Sequence, residues 1–363
     1  MKPVTILLII LYIIIFSVTG VWFYLKYFHP ITDSNNQTQV ISLNKDKTIF
    51  YTVDNNLYQL NADNLNRDSR DVATFRLQST GQVQTIEVDQ KNEFFVYDCL
   101  TPDSTSEIWQ VSFKDNHSEK LFSAITPGFE MYNDFRSPKM SKVGNNMTFI
   151  ASNQGVDDIF VWNIDQNTTE NLTSKSVKEK ITAFDWSQTE SKIYFSTMDN
   201  DKVSLKSSNL KKASTDLFEG INKIAQMEVL KDKIIVMFLD SNEIANLGYL
   251  KLEDPKVMTP FTDLKTPSTI ISFDPSSDGK QIVYQTQDSL LKKNDLYIIN
   301  VDGTNLLQLT TDGKSFSPIF SPDGKKIAFH LKDSGIYTMN TIKDNKEKIL
   351  NEEGEIDNLI LWR

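Results

Sequence analysis

A strand–turn–strand unit recurs along this chain roughly every 45 residues, and no other feature restricts the fold as much. Its clearest copy runs Phe316-Ser317-Pro318-Ile319-Phe320-Ser321-Pro322-Asp323-Gly324-Lys325-Lys326-Ile327-Ala328-Phe329, followed by Gly335-Ile336-Tyr337-Thr338-Met339-Asn340. Pro322 presets the first corner of a turn, and Gly324 supplies the left-handed conformation that such a turn needs. The run to Phe329 suits a short buried strand. A second copy reads Ile271-Ser272-Phe273-Asp274-Pro275, then Asp278-Gly279-Lys280-Gln281-Ile282-Val283-Tyr284, then Asp295-Leu296-Tyr297-Ile298.

Registered on their second strand, copies begin near Ile49, Phe94, Met147, Ile193, Ile234, Ile282 and Ile327, at separations of 45, 53, 46, 41, 48 and 45 residues. That period is the length of a four-stranded propeller blade. A third strand follows each, as in Glu107-Ile108-Trp109-Gln110-Val111, and a fourth leads out, as in Asn305-Leu306-Leu307-Gln308-Leu309-Thr310. No long amphipathic helix interrupts the short β-rich runs after residue 39, which is an all-β signal.

The two C-terminal copies resemble the TolB-type β-propeller repeat, a relative of the WD-type repeat, in their Ser-Pro-Asp-Gly-Lys turn and flanking strands; the earlier copies match in outline. Ser315 stands where that family often carries Asp. Together, repeat count and resemblance predict an all-β, seven-bladed β-propeller over residues 40–363, with six or eight blades as alternatives. The tail Ile356-Asp357-Asn358-Leu359-Ile360-Leu361-Trp362 reads as an innermost strand with no blade after it. Closing the ring requires it to pair into the first blade, beside or in place of Val40-Ile41-Ser42-Leu43, because an open ring leaves two sheet edges exposed.

Residues 3–25 contain no charged side chain and, as a helix, would span roughly 34 Å at ~1.5 Å per residue, enough to cross a bilayer. Trp22, Tyr24 and Tyr27 suit an interfacial belt, and Lys2 and Lys26 bracket the segment. A cleaved signal peptide is the competing reading, with small residues at Val18-Thr19-Gly20, but the apolar run continues past them. The expected organisation is a single transmembrane signal anchor over 1–28 that contacts membrane through 3–28, then a polar tether over 29–39. The propeller is expected on the extracytoplasmic side.

The net charge of −10 argues against a nucleic-acid footprint. The single cysteine, Cys99, permits no intramolecular disulfide and reads as a buried strand residue rather than a nucleophile. Gly-x-Ser-x-Gly, His-Glu-x-x-His, P-loop and dinucleotide-glycine signatures are absent from the sequence, so no catalytic, cofactor-binding or metal-ligating residue is assigned and no cofactor is expected. His29, His117 and His330 lie in separate segments. His330 follows a predicted strand, where it either faces the central channel or bonds locally. Asp199-Asn200-Asp201 starts like a calcium loop but lacks the rest of one and reads as a turn.

The loop Thr126-Pro127-Gly128-Phe129-Glu130-Met131-Tyr132-Asn133-Asp134-Phe135 is less polar than the equivalent Thr311-Asp312-Gly313-Lys314. Phe129, Met131 and Tyr132 are therefore candidate anchors for a partner, or else cover the blade edge beneath the loop. TolB-like proteins are envelope binding modules, so the resemblance implies a protein- or peptide-binding role with an unidentified partner. The rival reading is a propeller enzyme acting on a glycan or lactone through carboxylates in the central funnel.

Overall fold

The computed structural model describes residues 47–53, 56–62, 73–75, 82–89, 91, 93–173, 179–199, 202–210, 214–220, 223–351 and 356–362. The expected anchor, the tether and residues 40–43 lie outside them. The described residues form strands joined by turns, and none of them is helical. Hence no helix among them is long and apolar enough to cross a membrane.

In chain order the strands are β1 (Thr48–Val53), β2 (Asn56–Asn61), β3 (Ala73–Phe75), β4 (Gln82–Asp89), β5 (Phe94–Leu100), β6 (Ser106–Ser112) and β7 (Ser118–Phe122). Next come β8 (Asp134–Met140), β9 (Asn146–Asn153), β10 (Val156–Asn163), β11 (Thr168–Asn171), β12 (Lys180–Trp186), β13 (Lys192–Asp199), β14 (Lys202–Asn209) and β15 (Ser214–Gly220). Then follow β16 (Ile224–Val229), β17 (Lys233–Leu239), β18 (Ala245–Lys251), β19 (Asp254–Pro260), β20 (Ser268–Pro275), β21 (Gln281–Asp288), β22 (Lys293–Asn300) and β23 (Leu307–Gln308). The chain ends with β24 (Ser315–Phe320), β25 (Lys326–Leu331), β26 (Gly335–Asn340), β27 (Glu347–Asn351) and β28 (Ile356–Trp362).

Every sheet is an antiparallel four-stranded meander. Six of them take four consecutive strands each, from β4–β7 through β24–β27. The remaining sheet is composite, with order β28-β1-β2-β3, so the tail supplies its innermost strand. Ile49 pairs with Trp362 and Val53 with Ile356. The tail thus pairs into the first repeat as closure requires. Contacts pass from each sheet to the next, and β28 touches both β24 and β4, which completes an all-β propeller.

The second strand of each sheet is sandwiched between neighbours and buried nearly throughout, as in β5, β9 and β21. Its first half is mainly apolar for that reason, as in Phe94-Phe95-Val96-Tyr97 and Ile282-Val283-Tyr284. The outermost β15 and β19 are mostly exposed or half-buried. Apolar side chains therefore collect between sheets. One cluster joins Ile49, Tyr51 and Leu60 of the composite sheet to Ile319, Ala328 and Ile336 of its neighbour.

The recurring turn owes its sequence to three hydrogen bonds. In Ser321-Pro322-Asp323-Gly324 the Ser321 hydroxyl donates to Asp323 (2.7 Å), while the Lys325 and Lys326 amides donate to Asp323 and Ser321 (3.0 and 2.9 Å). Ser276, Asp278, Lys280 and Gln281 repeat that arrangement. Gly324 and Gly279 both sit at φ 68°, where a Cβ is disfavoured.

Candidate functional site

Each innermost strand of the consecutive sheets slips register against its neighbour. The shifts fall between Val83 and Thr85, Arg136 and Lys139, Ile181 and Ala183, Ile224 and Gln226, Ile270 and Ser272, and Phe316 and Ile319. Such bulges free backbone groups and re-aim side chains. Some freed amides find acceptors on second strands: Ser137 N–H and Thr85 N–H both donate to Asp98 at 2.7 Å, and Ser317 N–H donates to Gln285 at 2.9 Å. Burial pushes the Asp98 carboxyl up, opposed by its bonds to Thr85 and Ser137.

Just past the bulges, one position carries charge in sheet after sheet. Glu87, Lys139, Asp185, Glu228 and Asp274 lie opposite Val96, Thr148, Tyr194, Ile235 and Val283 of their second strands; Ile319 occupies the position in the last sheet. Lys139 is the one cation of this layer and reaches both Asp185 (3.3 Å) and Glu228 (2.8 Å). Lys142, from the following turn, adds contacts of 3.4 and 3.5 Å to the same two carboxylates. Asp185, whose side chain is 0% exposed, also accepts the Val229 amide at 2.6 Å. Asp274 accepts the Phe320 amide of the next sheet at 2.7 Å in the same way. Asp185 and Asp274 therefore tie β12 to β16 and β20 to β24.

Burial pushes Glu87 and Asp185 up; the lysines pull both back, and Glu228 pushes both further up. Burial opposes charge on Glu228 too, but Lys139 and Lys142 hold it down at about 2. Lys139 is held above its usual range: burial works against its charge, and Asp185, Glu228 and Glu87 outweigh it. Paired charges of this kind survive burial because each has a partner.

This layer and the bulges above it wall an axial cavity of ≈ 590 Å³ between β4, β8, β12 and β16. Its polar wall includes Gln84, Thr85, Ser137, Thr182 and Gln226 as well as Glu87, Lys139 and Glu228. Among the described residues no group of three or more His, Cys, Asp or Glu is placed to hold a metal ion.

His330 lies on β25, buried against Phe316 (ring centroids 5.9 Å), and is not part of the cavity wall. His117 is exposed in the turn before β7, and Cys99 is buried on β5. Asp199 ends β13, and residues 200 and 201 lie outside the described residues. Of the loop residues, Met131 is 62% exposed. Phe129 and Tyr132 are buried at 6% and 7%, against Phe135, Phe149 and Phe160. The Tyr132 hydroxyl donates to Asp158 at 2.8 Å.

No protein-family profile matches the sequence, and no curated protein matches it. Solved structures do. TolB from Acinetobacter baumannii superposes with TM-score 0.52 at 15% identity over 74% of this chain, which spans 64% of that protein. The Cps50 (Swd1) β-propeller domain from Myceliophteria thermophila gives 0.56 at 12% identity, over 82% of this chain and 94% of that one. An oligogalacturonate lyase from Vibrio parahaemolyticus gives 0.56 at 8% identity, over 85% of each chain. The shared property is the β-propeller fold. At such identities the likeness extends to architecture alone.

Sequence reasoning missed the axial charge layer. Its signal was a charged residue at one repeat position in five of six copies, visible once the copies are aligned on the turn that follows.

Proposed function

We propose that this chain is a single-pass membrane protein, anchored by residues 3–28, whose extracytoplasmic propeller binds another protein or peptide of the cell envelope. In this reading the composite sheet is the seventh blade of the ring. The observation that carries it is the axial cavity: ≈ 590 Å³, in the range of pockets that enclose a ligand or peptide segment, with polar groups set by bulged strands on a rigid ring. The charge-free apolar segment 3–25 and the fold likeness to TolB support the placement. A photo-crosslinking side chain at Gln84, on the cavity wall, should yield a defined protein adduct in intact cells; the same group at Leu291, exposed on the β21–β22 turn, should not. Identical adducts from both positions, or none from Gln84, would count against a partner at the axis.

A second reading, a glycan- or lactone-processing enzyme, is favoured by one observation. Glu87 is pushed up while Glu228 is held down at about 2, and both line the same cavity. Carboxyls driven apart in this way can divide acid and base roles. Turnover of a soluble glycan or lactone that disappears in Glu87→Gln would establish it.

A further inference from the structure

Exposure along β4 gives the axial cavity a direction. Gln82, Gln84 and Thr85 are exposed, Glu87 is half-buried, and Val88 and Asp89 are buried. Gln82 to Glu87 all line the cavity, so its mouth lies at the start of the inner strands and Glu87 stands at depth. Each sheet has four antiparallel strands, so the inner strands all start at the same end of the ring, and the loop leading into β8 lies at that end too. Its Ile125 and Met131, 83% and 62% exposed, therefore stand on the face that carries the mouth.

Inside the cavity, charge does not balance. Three carboxyls, Glu87, Asp185 and Glu228, share the layer with two ammonium groups, Lys139 and Lys142. The direct contacts are divided unequally. Both lysines lie within 3.5 Å of Asp185 and of Glu228, and the Val229 amide adds to Asp185. Glu87 lines the cavity with no salt bridge and no side-chain hydrogen bond among the described residues. The lysines act on it only from a longer range, and burial is the largest influence on its carboxyl. When Glu87 is ionised, the layer is one positive charge short. A desolvated carboxylate without a partner is costly, and a cation seated on it removes that cost.

These carboxyls are not grouped to ligate a metal ion, since no three His, Cys, Asp or Glu side chains converge among the described residues. An organic ammonium needs less. One carboxylate meets its charge, and neutral acceptors meet its remaining N–H groups; Gln84, Thr85 and Gln226 offer such acceptors on the same wall. The ≈ 590 Å³ volume also accommodates the short stretch of chain behind such a group. We propose that the axial cavity receives a primary ammonium group of the partner polypeptide, its α-amino terminus or a lysine side chain, which seats against Glu87. This inference rests on the reading that a polypeptide binds at the axis, and it names the chemistry at that polypeptide's tip. Ile125 and Met131 contact the part of the partner that stays outside the mouth.

The test titrates the full chain in detergent micelles with two pairs of peptides. One pair is Ala-Ala-Ala amide with its α-amino group free or acetylated. The other is acetyl-Ala-Lys-Ala amide and its norleucine counterpart. Isothermal titration calorimetry gives the affinities. The Trp186 indole N–H donates to the Lys139 carbonyl at 3.3 Å, so its ¹⁵N–¹H signal, assigned by its loss in Trp186→Phe, reports binding at the layer. In at least one pair the amine peptide should bind roughly 30-fold or more tighter than its neutral partner, the lower bound for a desolvated charge pair, and should shift the Trp186 signal. The pair that shows the preference tells a chain terminus from a lysine. In Glu87→Gln the preference should vanish. Glu87 holds no other side chain in place, so this variant should melt as the parent does, and the ranking on the parent chain tests the proposal without it. Equal binding within both pairs, an unmoved Trp186 signal, or a preference that survives in Glu87→Gln would overturn the proposal. The Gln84 crosslink reads whether any protein occupies the axis. A Gln84 adduct without an amine preference would therefore reject the ammonium and leave the partner reading standing.

Discussion

Replacing Trp362 by alanine tests whether the tail strand seals the propeller. The Trp362 ring is 7% exposed and lies opposite Ile49, in a cluster that spans the seam between the composite sheet and the β24–β27 sheet. Truncating a buried Trp costs about 3–5 kcal/mol, a large part of the ~5–15 kcal/mol that holds a typical fold. An unfolding entropy of about 2.1 cal/mol/K per residue, over the roughly 320 residues of Ile41–Arg363, converts this to a fall in Tm of about 4–8 °C. Trp362→Phe should behave differently. The buried indole N–H has no hydrogen-bond partner among the described residues, and such a group costs about 1–3 kcal/mol. Removing it offsets the lost ring volume, so the Phe variant should melt within about 2 °C of the parent. Scanning calorimetry of the full chain in detergent reads both, with exposed Leu291→Ala as the control. An alanine variant that melts with that control would refute closure by β28.

Asp185→Ala should cost about 3–5 kcal/mol in chemical denaturation, because it removes the acceptor of Val229 N–H and a partner of Lys139 and Lys142 at once; a loss below about 1 kcal/mol would show that the layer does not hold the strands together. Glu228 has a folded value lowered from 4.5 to about 2, so its contribution is present above about pH 4.5 and is lost as pH falls toward 2. The stability gap between parent and Glu228→Gln should therefore be about 3 kcal/mol near neutrality and close below pH 4.5; a gap independent of pH would refute the assignment. Phe129→Ala should destabilise by about 3–5 kcal/mol, whereas exposed Met131→Ala should stay within ~0.5 kcal/mol, as thermal melts of the pair would show.

The repeat was readable because local chemistry imposes it. The Ser-Pro-Asp-Gly turn satisfies its own hydrogen bonds within six residues, so it leaves the same signature wherever it occurs. Even the weaker copies keep the serine: Ser141 receives the Asn146 amide and Ser187 the Lys192 amide, both at 3.1 Å. Second strands begin at Thr48, Phe94, Asn146, Lys192, Lys233, Gln281 and Lys326, each within one residue of the position read from periodicity. Burial on both faces leaves an apolar run, and such a run has an unambiguous start.

The functional surface was less legible. Phe129 and Tyr132 read either as anchors for a partner or as cover for the blade edge beneath the loop, and the sequence could not choose; the aromatic side chains of β7, β9 and β10 surround Phe129 from strands distant in sequence. Met131, between them, faces solvent. Glu87, Lys139, Asp185 and Glu228 are isolated charges in the linear chain, separated by intervals set by blade length.

By itself the sequence determined the all-β repeat, its turns, its buried second strands and the tail strand available to pair, because each depends on neighbours within a few residues or on one apolar periodicity. Only the tertiary structure decided which charges meet at the axis and which aromatics surround Phe129. Those contacts exist only after bulged inner strands from different sheets are brought side by side, where burial raises Glu87 and Asp185 while Lys139 and Lys142 hold Glu228 down.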